Sequence, residues 1–172
     1  MTVTSTAAPT TTVLKDPYAF FMNRAPSGNV YNLIGTGFSA GLLMQNGGTT
    51  TALTTLQNSI LYGNADPVNP TLDTNIAYPS PPPSGVPGND TDMTAWFTTA
   101  GWNNTQTNPM LQDPTNVSFL RMGPATSLTT GAATPTDPDG GDFFDKTATY
   151  IGAFKDRNDT WATGNWVVWA PK

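Results

Sequence analysis

Residues 29–64 read NVYNLIGTGFSAGLLMQNGGTTTALTTLQNSILYGN, and an internal match within them decides the fold. Residues 30–37 (VYNLIGTG) align with residues 56–63 (LQNSILYG) at an offset of 26 residues, the distance from Asn32 to Asn58. Asn32/Asn58, Ile34/Ile60 and Gly37/Gly63 coincide, and Val30 meets Leu56. A period of roughly 20–50 residues marks an architecture of stacked repeats. A second apolar run, Leu42-Leu43-Met44, lies between the copies, bounded by Gly41 and by Asn46-Gly47-Gly48. Ahead of the first copy stands Ala19-Phe20-Phe21-Met22-Asn23, closed by Pro26-Ser27-Gly28. These are apolar runs of strand length punctuated by turn residues. Three short strands per turn, with Gly and Asn at the corners, describe a parallel β-helix coil. Asn suits such corners because it tolerates left-handed backbone and its amide can pair with an Asn stacked above it. The fold class expected is all-β, a short parallel β-helix-like coil. Two chance-alike strands of a β-sandwich are the competing explanation.

Composition narrows the rest. The 172 residues are enough for one domain with a substantial core. Charged residues make up only 11% and hydrophobic residues 37%, a balance that disfavours disorder. Solubility must come from Thr, Asn, Ser and Asp. Thr is also a strand former, whereas Glu is absent and Lys occurs four times, so helical periodicity is weak throughout. The net charge of −5, with seven scattered basic residues, excludes the clustered Lys and Arg of a nucleic-acid footprint. No apolar run approaches the roughly 18 residues of a membrane span. Residues 1–6 (MTVTST) lack the basic start and apolar core of a secretory leader. The acidic, Thr/Asn/Gly/Pro-rich composition points to an extracellular or cell-surface location.

The chain divides into four parts. Residues 1–16 form a Thr/Pro-rich N-terminal arm and residues 17–66 the β-helix-like coils. Residues 67–90 form a Pro-rich connector, where Pro67, Pro70, Pro79 and Pro81-Pro82-Pro83 deny ladder donors and hold the chain extended. Residues 91–172 form a loop-rich C-terminal β/cap region. Within it a short helix is expected around Asp92-Met93-Thr94-Ala95-Trp96-Phe97, capped by Asp90 or Thr91. Its last stretch is aromatic, with Phe143, Phe144, Tyr150, Phe154, Trp161, Trp166 and Trp169. Such rings fill a core or cover a sheet end more often than they bind sugar, although exposed Trp and Tyr can stack on sugar rings.

The residue inventory closes several chemistries. With no His and no Cys, there is no His-based triad, Cys nucleophile, disulfide or His/Cys-ligated metal. Asp is the only side-chain carboxylate, so an Asp-pair glycosidase is the residual acid–base possibility. Half of the Asp residues sit beside Pro or Gly, as in Asp66-Pro67 and Asp113-Pro114, where they support turns. No catalytic residue is assigned. The candidate metal ligands are Asp137, Asp139, Asp142 and Asp145, oxygen donors around a Gly turn that suit Ca²⁺. Their spacing misses the EF-hand loop, since Gly141 stands where a ligand should and Asp142 where the Gly should. Sequons at Asn89, Asn103, Asn116 and Asn158 arise freely in so Thr- and Asn-rich a chain.

The order of NVYNLIGTGF…GLLMQNG, LQNSILYGN, FTTAGWNN and GDFFDKTATYIGAF…TWATGNW resembles the C-terminal portion of right-handed parallel β-helix proteins of bacterial surfaces, many known only as hypothetical lipoproteins. The resemblance covers about residues 17–169, and Ala148-Thr149-Tyr150-Ile151-Gly152-Ala153-Phe154 with Trp161 and Trp166 is its most specific part. It implies a right-handed coil and longer relatives with more coils ahead, and it carries over no catalytic residues. A parallel coil exposes a row of backbone groups at each end, which natural proteins cover, charge or pair. The function expected is a non-enzymatic structural protein that self-assembles, its partners being copies of itself. The alternative is a carbohydrate-binding or polysaccharide-acting domain, its partner a surface polysaccharide.

Overall fold

The computed structural model describes residues 2–4, 18–23, 27–38, 40–45, 54–64, 90–111, 131–137, 139–156 and 158–160. These contain β1 (Thr2–Thr4), β2 (Tyr18–Asn23), β3 (Gly28–Tyr31), β4 (Ile34–Thr36), β5 (Ala40–Gln45), β6 (Thr54–Gln57), β7 (Ile60–Leu61) and the helix α1 (Asp90–Phe97). The described residues are therefore strand-rich with little helix, and every described strand pair is parallel.

Each strand of the first row pairs with the strand three places on: β2 with β5, β3 with β6 and β4 with β7. The register sets Val30 against Leu56 and Ile34 against Ile60, the 26-residue match read in the sequence. The first pair has a different spacing, with Phe20 opposite Leu42. β1 lies on the other side of β4, Thr2 opposite Ile34.

The corners between strands follow from Asn chemistry. Asn32 and Asn58 have φ of +57° and +50°, a left-handed conformation in which Asn is among the few tolerated non-Gly residues. Gly37 and Gly63 also repeat, at +82° and +65°. Polar side chains complete the ladder where the backbone turns. The Leu33 amide donates to the Ser59 hydroxyl (3.0 Å) and the Phe38 amide to Asn64 Oδ1 (3.0 Å), both across 26 residues. Thr55 donates to Asn29 Oδ1 at 2.8 Å with the same separation.

A third level repeats the corner without a full strand. Asn103 has φ of +55°, and the Asn58 amide donates to the Trp102 carbonyl as the Asn32 amide donates to Gln57. Thr105 bridges Ile60 in parallel. Asn104 gathers three backbone groups: its Oδ1 accepts from Ser59 N (2.9 Å), and its Nδ2 donates to Leu56 O (2.7 Å) and Phe97 O (2.8 Å).

Two apolar clusters hold these pieces. Leu33, Leu42, Leu56, Leu61, Trp96 and Phe97 form one, with Ala19, Phe20, Val30 and Trp102 against it. Fully buried Leu and Phe side chains each contribute about 1.5–3 kcal/mol, so α1 stabilises the strands by supplying Phe97 and Trp96 to their core. Trp96 meets Trp102 edge to face, 5.0 Å between centroids. Gly35 lies in this core, where an added Cβ would come within 2.6 Å of Ala19 Cβ and 2.9 Å of Leu61 Cδ2. The second cluster is Ile34, Ile60 and Ile151, with Tyr62, Leu111 and Ala132 packed on it. Alternation along β4 and β7 separates the two clusters: Leu61 joins one and its neighbour Ile60 the other.

The helix starts two residues earlier than the expected Asp92, because Asp90 and Thr91 are its first two residues rather than its cap. Acidic residues suit the first turn as well as the cap, through the helix dipole, so sequence alone does not separate the two positions. At the other end the Thr99 hydroxyl donates to Trp96 O (2.7 Å), and Gly101 at +85° redirects the chain. The connector lies outside the described residues up to Asp90, as do Trp161, Trp166 and Trp169. No helix among the described residues is long and apolar enough to cross a membrane.

Candidate functional site

The C-terminal loops are laid against the corner asparagines. Asn32 pairs its whole amide with Ala133, Nδ2 donating to the carbonyl (2.9 Å) and Oδ1 accepting from the amide (2.8 Å). Asn58 Nδ2 donates to Gly131 O. The Asn32 carbonyl accepts from Gly152 N at 2.8 Å. The Asn32 corner therefore holds both Ala133 and the segment that carries Ile151 into the second cluster, while the Asn58 corner holds Gly131.

The candidate metal ligands are organised differently from a calcium loop. Asp137 is buried, and its Oδ2 is 2.7 Å from Lys146 Nζ while its Oδ1 accepts from Phe144 N at 2.8 Å. Lys146 also reaches Asp142 Oδ1 at 3.7 Å and Gly141 O at 3.4 Å. Its ammonium occupies the middle of the turn. Asp145 faces its own turn, Oδ1 accepting from Thr147 N (2.9 Å) and Oγ1 (2.6 Å). Asp139 is exposed. Among the described residues no three carboxylates converge as a metal-ligand group, so calcium at this turn would have to displace Lys146 from Asp137.

The electrostatics agree with that geometry. The hydrogen bond from Lys146 holds the Asp137 carboxyl below its ordinary pKa of 3.8, helped by the Phe144 amide and opposed by desolvation. Lys146 is raised above its ordinary 10.5, first by the hydrogen bond to Asp137. Asp145 is lowered by the Thr147 hydroxyl and amide. Burial pushes the Tyr150 phenol up, with smaller contributions from the charges of Asp159 and Asp145.

Beside this turn a cleft of about 380 Å³ opens along β3. Asn29, Tyr31 and Asn32 line one side, and Phe144, Asp145 and Tyr150 the other. Tyr31, Phe144 and Tyr150 are half-buried there, and Phe143, 77% exposed, packs edge to face on Phe144 just beside it. The aromatic richness of this segment was legible in the sequence. Its meeting with Tyr31 was not, since more than a hundred residues separate them and tertiary contacts such as the Asn32 pairing and the Ile151 packing bring them together. No protein family, curated protein or solved structure matches this chain, so its geometry and chemistry alone carry a functional reading.

Proposed function

We propose that this is a non-enzymatic structural protein of the cell surface or extracellular space, built on a short parallel β-helix, and that it assembles with copies of itself by exchanging its N-terminal strand. The rows β2–β3–β4 and β5–β6–β7 are read as successive coils, in keeping with parallel pairing three strands apart and with left-handed corners at matching positions. The observation that carries assembly is β1: a terminal segment of three residues added in parallel to the edge of β4. An edge that accepts a strand from its own chain accepts the same strand from another, and exchange of identical elements needs no new interface. A chain without His, Cys or Glu and with few charges suits a scaffold better than acid–base catalysis.

The test is light scattering across a concentration series, with negative-stain imaging, on the full chain and on a chain lacking residues 1–4. Concentration-dependent oligomers that disappear on deletion are expected. A monomer at every concentration, or assembly that survives the deletion, overturns strand exchange.

A further inference from the structure

We infer that the cleft between β3 and the C-terminal loops is a binding site for a neutral saccharide, holding one or two pyranose rings between Tyr31, Phe144 and Tyr150. Three rings converge on a cavity of about 380 Å³, near the lower end of the roughly 300–1,000 Å³ of small-ligand sites. A pyranose has an apolar face of C–H groups and a rim of hydroxyls. It therefore needs aromatic surface and hydrogen-bonding groups in one place, and the cleft offers both.

The polar groups have capacity to spare. Asn29 Oδ1 accepts from Thr55, and no hydrogen bond engages its Nδ2 among the described residues. Asp145 uses Oδ1 for both bonds to Thr147, which leaves Oδ2 for a ligand hydroxyl. The hydroxyls of Tyr31 and Tyr150 likewise have no partner among the described residues. The cleft thus offers donors and acceptors beside the rings, as a polyol requires. The carboxylate of Asp145 and the net charge of −5 disfavour an acidic sugar. This site does not depend on assembly: β1 covers β4, whereas the cleft follows β3.

The test titrates cellotetraose, chitotetraose and trigalacturonate into the full chain, by calorimetry and saturation-transfer NMR. At least one neutral probe is expected to bind with Kd about 1 mM, as suits an open cleft. Trigalacturonate should bind at least about tenfold more weakly, and Asp145→Asn should narrow that difference, since the amide keeps the Oδ1 contact to Thr147. Tyr150→Phe retains the packing and should weaken the neutral probe about three- to tenfold; Phe144→Ala should weaken it further. Three outcomes overturn the proposal: neither neutral probe binds by about 10 mM, binding is indifferent to both aromatic substitutions, or an extended peptide such as TVTSTAA binds the cleft and the sugars do not.

Discussion

The two ends of the strand rows are finished in different ways. Beyond β5, β6 and β7 the chain supplies a helix, a third left-handed corner and one Asn that binds three backbone groups. Beyond β2, β3 and β4 the described residues supply only β1, three residues paired to β4. The comparison teaches that a parallel row can be ended by side chains as well as by strands. Asn104 takes the Ser59 amide and the Leu56 carbonyl, while Phe97 fills the space a further row of apolar residues would occupy. At the end closed in this way, the Ser59 amide and the Leu56 carbonyl are already engaged. The opposite end ends in a ladder, the pairing of β1 with β4 on which the proposed strand exchange rests.

The comparison breaks most visibly at Phe97. Replacement by Ala removes a fully buried ring from the first cluster, and a loss of about 3–5 kcal/mol is expected in urea unfolding. Deleting residues 1–4 should cost far less, because it removes only three ladder pairs. Equal losses would mean that the ends are not distinct. Asn104→Ala sharpens the same contrast. It leaves the Ser59 amide and two carbonyls without their partner, and about 2–3 kcal/mol should be lost. Amide exchange at Ser59 and Ile60 should accelerate while that at Val30 changes little; uniform acceleration would argue against a local cap.

The smallest effect lies in the Asp137–Lys146 turn. The Asp137 pKa is depressed on folding, so its contribution is present above the ordinary value near 3.8 and is lost as pH falls through the lower folded value. Lys146 is raised, so its contribution is complete below 10.5 and is lost as pH climbs through the folded value. Asp137→Asn should therefore flatten the acid limb of a melting-temperature profile and reduce stability across the neutral range. An acid limb unchanged by the substitution would show that the pair contributes nothing.

The legibility of the fold followed the repeat. Asn32 and Asn58 are visible as a pair because β3 with β6 and β4 with β7 keep one offset of 26 residues on either side of the corner. Asn103 takes the same left-handed conformation but is not legible as part of the repeat. It follows Asn58 at 45 residues rather than 26, because the connector and α1 are inserted, and only the Asn itself recurs in Trp102-Asn103-Asn104-Thr105. The acidic turn shows the converse. Its carboxylates were legible as oxygen donors, but Lys146 is a sequence neighbour whose inward direction depends on the burial of Asp137.

By itself the amino-acid sequence determined the parallel register of 26 residues, the left-handed corners and the absence of His, Cys and Glu chemistry. Strands joined by matching corners with no insertion between them keep one spacing, as β3 with β6 and β4 with β7 do, and composition needs no fold to be read. Only the tertiary structure decided which end is closed, where Lys146 points and that Tyr31 faces Phe144 and Tyr150 across a cleft. Those contacts join segments whose separation follows no period. They are set by which polar groups lose water and must find partners once the chain is packed, as half-buried Asn32 finds Ala133 and Gly152.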